Sequence, residues 1–360
     1  MKLNVGALRA ATDKMRSAHL PDATNLVNKT LAQHGLLPGG NPGQADDTGS
    51  GLPNFTSILQ GLKTPFQEGH TPEADLPAGA EFQRGSYTCE EGSRNYRLYI
   101  PASAPSGVTG LVVMLHGCTQ SPEDFAAGTN MNALAEEHGF AVLYPHQSRG
   151  ENAQSCWNWF RRGDQMRDRG EPAILAGMAE KVAADLRTPK GATFVAGLSA
   201  GAAMAVILGE AYPDVFAAIG AHSGLPLGAA KDVTSAFSAM AGTDMSAQSD
   251  RKAATTPTII FHGTADSTVH PSNADAIARQ VRDSGPKQTF ESEAQVHMSG
   301  RKAHRTIAET GTGQTVLEQW SIEGLGHAWS GGRSEGSYTD PKGPDASVEM
   351  IRFFFDTVKA

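Results

Sequence analysis

The stretch Thr193-Phe194-Val195-Ala196-Gly197-Leu198-Ser199-Ala200-Gly201-Ala202-Ala203-Met204 begins as a short β-prone apolar run and continues as small residues that suit a helix. Between the two stands a serine with a glycine two residues to either side. In that setting Gly-x-Ser-x-Gly reads as a strand-to-helix elbow. A sharp turn holds the serine in a strained conformation with its hydroxyl exposed, and the glycines let strand and helix approach without Cβ clashes. The position at a helix N-terminus also places the Ala200 amide and the helix dipole where negative charge would develop.

The pattern alone is cheap. With 40 Gly and 26 Ser in 360 residues, chance supplies roughly 0.3 matches. A second match exists at Gly332-Arg333-Ser334-Glu335-Gly336. It follows Gly and Ser rather than a strand and runs into Ser-Tyr-Thr-Asp-Pro rather than a helix, so it reads as a loop. Context therefore selects Ser199 as the nucleophile.

An elbow serine needs a base and an orienting acid, and in this architecture they follow it in the order acid, then histidine, on loops after late strands. After the apolar run Thr258-Ile259-Ile260-Phe261 comes His262-Gly263-Thr264-Ala265-Asp266, and after 316–322 comes Gly324-Leu325-Gly326-His327. A serine hydroxyl becomes an effective nucleophile when a neutral imidazole takes its proton and a carboxylate fixes that imidazole's tautomer. Asp266 and His327 fit those roles. The rival acids Asp232, Asp244 and Asp340 do not directly follow a strand, and His116 and His262 precede glycines at strand ends, where they can simply satisfy backbone groups. The run Leu111-Val112-Val113-Met114-Leu115-His116-Gly117-Cys118 places the Cys118 amide where a second oxyanion donor is expected, beside that of Ala200. An ordinary turn is the alternative at His-Gly.

Working outward, β-rich runs at 96–100, 110–115, 141–144, 193–196, 217–221, 258–261 and 316–322 alternate with helical patterns at 122–138, 172–186, from Ala200, 271–282 and 346–358. That alternation implies parallel crossovers and a mostly parallel central sheet with helices on both faces, and together with the serine elbow and its partners in order it reads as the α/β-hydrolase fold. Residues 1–38 read as an N-terminal helical arm broken by Pro21, 39–80 as a Gly/Pro-rich linker or wrap, and 81–360 as the catalytic domain. The polar stretch 228–254 reads as a lid or a plain surface loop.

Composition bounds the function. The net charge of −8, with 39% hydrophobic and 19% charged residues, argues against nucleic-acid or anionic-membrane partners, which need a concentrated basic face. Three cysteines, Cys89, Cys118 and Cys156, are too few and too scattered for a disulfide scaffold or a zinc site. The first 21 residues lack the apolar core of a secretory signal, so a cytoplasmic location is expected. The oligomeric state is open.

From residue 82 onward the chain resembles the polyhydroxybutyrate depolymerase family of esterases, related to feruloyl and acetylxylan esterases. The matching segments are LHGCTQSPEDFA (115–126), LYPHQ (143–147), CWNWF (156–160), AGLSAGAAM (196–204), IFHGTADSTVHP (260–271), GLGHAWSGG (324–332) and GSYTDPKGPDAS (336–347). The resemblance implies a Ser199, Asp266, His327 triad, oxyanion amides at Cys118 and Ala200, and hydrolysis of short-chain 3-hydroxyalkanoate esters, with an ester or polyester oligomer as partner and no metal or cofactor. It also implies that Trp157, Asn158, Trp159 and Trp329 bind substrate, with core packing as the alternative for the indoles. A bridge between Cys118 and Cys156 would tie the oxyanion turn to the aromatic loop, although a reducing cytosol would oppose it. Feruloyl or acetylxylan esterase activity is the alternative function, and a non-catalytic granule-binding protein on the same scaffold is the remaining one.

Overall fold

Strand β3 (Leu111–Leu115) is buried along its whole length, and its alternating side chains separate two apolar layers. Leu111, Val113 and Leu115 join one cluster, while Val112 and Met114 join the other. A strand covered on both faces has no polar side to show, which is why the run LVVML carries no alternation. The same holds for β4 (Ala141–Pro145), β5 (Thr193–Leu198), β6 (Ile219–His222) and β7 (Thr258–Gly263), each buried throughout.

The computed structural model describes residues 76–243, 256–285 and 289–359, which belong to one compact unit. The expected N-terminal arm and most of the linker lie outside the described residues. The remaining strands of the main sheet are β1 (Glu81–Cys89), β2 (Gly92–Ile100), β8 (Thr289–Met298), β9 (Arg301–Thr310) and β10 (Thr315–Ile322). They complete a 10-stranded sheet in the order β1-β2-β4-β3-β5-β6-β7-β10-β9-β8. The centre, from β4 through β10, is parallel. Its two flanks are antiparallel hairpins. This is the α/β-hydrolase fold.

Helices cover both faces. The helices α3 (Gly170–Asp185), α4 (Ala200–Ala211) and α6 (Ser272–Ser284) bury apolar residues in the first layer, as Leu175, Met204 and Ile277 show. The second is formed by α1 (Pro122–Thr129), α2 (Met131–His138) and α7 (Ala346–Lys359), through residues such as Phe125, Met131 and Phe354. Phe354 stacks on Phe194 of β5 with centroids 5.0 Å apart, so the strand that carries the serine is anchored from below by a C-terminal aromatic.

The structure departs from the sequence reading in three places. The single helix expected at 122–138 is two, because Asn130 takes a left-handed conformation, φ 55°, that ends α1 and starts α2. Both flanking hairpins carry strands that apolar patterning did not signal. Part of the 228–254 stretch is α5 (Val233–Met240), started by a capping box between Asp232 and Ser235, and 244–255 lies outside the described residues.

Candidate active site

Strand β5 ends at Leu198, and α4 begins at Ala200, so Ser199 alone forms the elbow. It has φ 58° and ψ −119°, a backbone conformation that costs a non-glycine residue of order 1–3 kcal/mol and persists only where the surroundings enforce it. The flanking glycines supply the enforcement. A Cβ on Gly201 would lie 2.0 Å from the Leu115 carbonyl oxygen, and one on Gly197 would lie 2.4 Å from the Gly201 carbonyl carbon. Helix, elbow and neighbouring strand are therefore pressed together as far as backbone allows. In the second Gly-x-Ser-x-Gly segment glycine serves a different contact, since a Cβ on Gly336 would collide with Gly128 of α1, and Ser334 is exposed on a loop.

Asp266 sits in the turn after β7 and is 4% exposed. Its Oδ1 accepts the amides of Thr268 and Val269 at 3.0 and 2.9 Å, and its Oδ2 lies 2.8 Å from His327 Nδ1. His262 Nε2, which bonds the Val269 carbonyl at 2.8 Å, stands 3.4 Å from the same Oδ2. Burial pushes the Asp266 carboxyl up, but the bonds from His262, His327 and the Val269 amide outweigh it and hold the group well below the usual carboxylate range. A carboxylate fixed in this way requires a proton on His327 Nδ1. His327 Nε2 is then left as an acceptor.

Main-chain stitching keeps the acid and histidine loops together. Thr264 N donates to Ile322 O at 2.9 Å, Ala265 N to Leu325 O at 3.0 Å, and Gly324 N to Thr264 Oγ1 at 2.9 Å. The structure thus brings Asp266 and His327 into direct contact. Ser199 stands at the same carboxyl edge of the sheet, with no hydrogen bond between its hydroxyl and His327.

The turn after β3 is held with equal care. Gly117 N donates to Gln120 Oε1 at 2.9 Å and Thr119 N to Gln154 O at 2.7 Å, so the Cys118 amide lies between two anchored neighbours. Ala200 is the first residue of α4, and its amide has no intrahelical acceptor. Cys118 is joined to Cys156 in a disulfide, which ties this turn to the aromatic loop.

The residues expected to line the substrate site stand inside the protein. Trp157 is fully buried and spends its indole N–H on the His116 carbonyl at 3.0 Å. Asn158 gives its amide and its Nδ2 to Glu171 at 2.7 and 2.6 Å. Trp159 is buried and meets Phe160 edge-on. Trp329, 1% exposed, donates to Ser347 Oγ at 3.0 Å. In place of an open wall, Trp157 and Asn158 form a brace under the Cys118 turn, continued by Gln147, which donates to the Cys156 carbonyl at 3.0 Å, and by Arg94, which bonds Gln147 at 2.9 Å and Glu171 at 3.2 Å. The rival histidine His116 bonds main chain, with Nδ1 on the Gly117 carbonyl and Nε2 accepting the Gln147 amide.

Sequence reasoning overlooked three residues at this edge. Gln120 holds the Cys118 turn and reaches across to Asp124 and Ser337. Tyr338, at φ 53°, places its hydroxyl 3.2 Å from that of Thr119. His222 ends β6 between the serine strand and the acid strand. Only His222 had a legible signal, a histidine closing an apolar strand before Ser-Gly.

Comparison with known proteins gives this arrangement its relatives. Poly(3-hydroxyalkanoate) depolymerase C of Paucimonas lemoignei is 32% identical over 257 residues, covering 68% of this chain and 61% of the relative. Poly(3-hydroxybutyrate) depolymerase of Ralstonia pickettii is 29% identical over 255 residues, 65% of this chain and 51% of the relative. The chain thus spans between half and about three-fifths of these two relatives. Among solved structures, an acetyl xylan esterase from Aspergillus awamori superimposes with a TM-score of 0.56 at 19% identity, over 76% of this chain and 99% of that one, a likeness of fold. Residues 94–287, more than half of the chain, match the family described as Esterase PHB depolymerase, and the chain belongs to that family.

Proposed function

We propose that the protein is a serine esterase that hydrolyses short-chain 3-hydroxyalkanoate esters through an acyl-enzyme. The observation that carries this reading is the 2.8 Å contact between Asp266 and His327 at the sheet edge where Ser199 occupies a strained elbow. Ser199 Oγ attacks the ester carbonyl carbon while His327 Nε2 takes the hydroxyl proton. The carbonyl oxygen becomes an oxyanion facing the Cys118 and Ala200 amides, each contributing about 3 kcal/mol by analogy with measured oxyanion donors. Collapse breaks the bond to the alcohol, which leaves with the proton from His327. A water molecule then repeats the sequence on the acyl-enzyme, releasing the acid and restoring Ser199.

Membership of a depolymerase family favours hydroxyalkanoate esters. Acetylxylan or feruloyl ester hydrolysis is the second reading, favoured by a 28% identical relative described as probable acetylxylan esterase A of Aspergillus flavus, covering 63% of this chain. Parallel assays on hydroxybutyrate oligomers, acetylated xylan and methyl ferulate separate the two. The proposal expects the highest kcat/KM on the oligomers, and a clear preference for either of the others overturns the substrate assignment. Labelling of Ser199 by a fluorophosphonate is expected, and its failure would favour a non-catalytic protein on this scaffold.

A further inference from the structure

His222 bonds both arms of the candidate machinery. Its main-chain carbonyl accepts the Ser199 amide at 2.9 Å. On the other side of the same residue, ring Nε2 accepts the Ser330 amide at 3.0 Å, and Ser330 lies three residues beyond His327. Ring Nδ1 stands 3.3 Å from Ser223 Oγ. The imidazole is fully buried, packed against Phe261 at 5.8 Å and 12° and Trp329 at 5.2 Å and 24°. A histidine in such a stack could serve packing alone. Packing, however, would not require that its acceptor nitrogen meet the one main-chain donor of Ser330.

We infer that His222 is a positioning residue that sets the spacing between Ser199 and His327 by holding the nucleophile elbow through its main chain and the histidine loop through its ring. The inference rests on the serine-esterase reading above. A neutral imidazole has one donor and one acceptor, so accepting from Ser330 puts the proton on Nδ1, toward the Ser223 hydroxyl. Protonation of Nε2 would remove the acceptor. Burial keeps the ring neutral, aided by the nearby His262 and His327 imidazoles. Ser330 is itself fully buried. If the acceptor is lost, its amide has no water to turn to, and the loop must shift to find a partner. A shift of about 1 Å between nucleophile and base is enough to cost on the order of 100-fold in rate.

The test compares His222→Leu, which deletes the acceptor, with His222→Gln, whose Oε1 can occupy the place of Nε2. On a short p-nitrophenyl ester the inference expects kcat to fall about 30-fold or more in His222→Leu with KM within about threefold, and His222→Gln to recover at least about tenfold of that loss. The low-field Nδ1 proton of His327 should shift or broaden in the leucine variant and return in the glutamine variant. Nitrogen NMR of the unaltered protein should show His222 as the Nδ1–H tautomer. Three results overturn the inference: kcat within about threefold of the parent in His222→Leu, equal loss in both variants with the His327 proton unmoved, or an Nε2–H tautomer in the native protein. The tautomer measurement decides the matter even if His222→Leu does not fold. An inactive Ser199→Ala beside a fully active His222→Leu would leave the esterase reading standing and remove this inference alone.

Discussion

His327 Nδ1 lies 2.8 Å from Asp266 Oδ2, and the other oxygen of that carboxylate is fixed by the Thr268 and Val269 amides. The carboxylate is therefore held by bonds that do not depend on His327, and it presents one oxygen to the imidazole. Asp266→Asn preserves the shape but offers an amide that can hold the imidazole in the wrong tautomer. A fall in kcat of about 10³ to 10⁴-fold is expected, measured on a short p-nitrophenyl ester with the fold checked by circular dichroism. A change below about tenfold would remove Asp266 from the relay.

Trp157 acts from beneath the Cys118 turn, through its bond to the His116 carbonyl. Trp157→Phe keeps the apolar ring and leaves that buried carbonyl without its donor, at a cost of about 1–3 kcal/mol. Urea denaturation should show the loss, while KM for short esters stays within about twofold. A large rise in KM with unchanged stability would instead put Trp157 on the substrate.

The Cys118–Cys156 bridge closes a loop of 38 residues, for which chain entropy gives about 3–4 kcal/mol of stabilisation. The double substitution Cys118→Ala with Cys156→Ala should lower the unfolding free energy by roughly 2–4 kcal/mol. Mass spectrometry without reductant should find both thiols oxidised; two free thiols would contradict the bridge.

Burial lowers His116 to about 4, against about 6.5 in an unfolded chain. Between those values the unfolded chain binds a proton that the native protein refuses. The stability from keeping His116 neutral is full above pH about 6.5 and is lost as pH falls toward about 4, at roughly 1.4 kcal/mol per pH unit. Burial raises the carboxyls of Asp164 and Glu171; they favour the native state at low pH and act with the opposite sign. A difference measurement isolates the imidazole. From pH 7 to pH 5, His116→Gln should lose about 2 kcal/mol less stability than the parent. Equal losses would show that His116 titrates normally.

How far the sequence could be read follows from where burial leaves a mark. Unbroken apolar runs such as Leu111–Leu115 mark strands covered on both faces, and the parallel centre of the sheet was legible from them. The edge strands were not. In β8 and β9 most side chains are exposed or half-buried, so TFESEAQVHM and RKAHRTIAET lack apolar alternation. Their turn did leave a sign, because Ser299 and Gly300 both take positive φ, 45° and 81°, the requirement of a tight two-residue hairpin. At the candidate site, the placement of Ser199, Asp266 and His327 was legible because each follows a strand in a glycine-rich turn. That Trp157 and Trp329 are buried, with their indole N–H groups bonded within the protein, was not legible. An indole beside a site looks the same in sequence whether its ring faces a substrate or its N–H is committed to a carbonyl or to Ser347. The position of His222 at the end of an apolar strand was legible, but its ring partner, the Ser330 amide, and the Ser337 partner of Gln120 are distant in sequence and leave no local pattern.

The proposed role of Ser199 as nucleophile is tested most directly by Ser199→Ala. Hydrolysis of a short p-nitrophenyl ester by the purified variant, with native circular dichroism and melting temperature, should fall by about 10³-fold or more. Activity within about tenfold of the parent in a folded Ser199→Ala would contradict the assignment of Ser199.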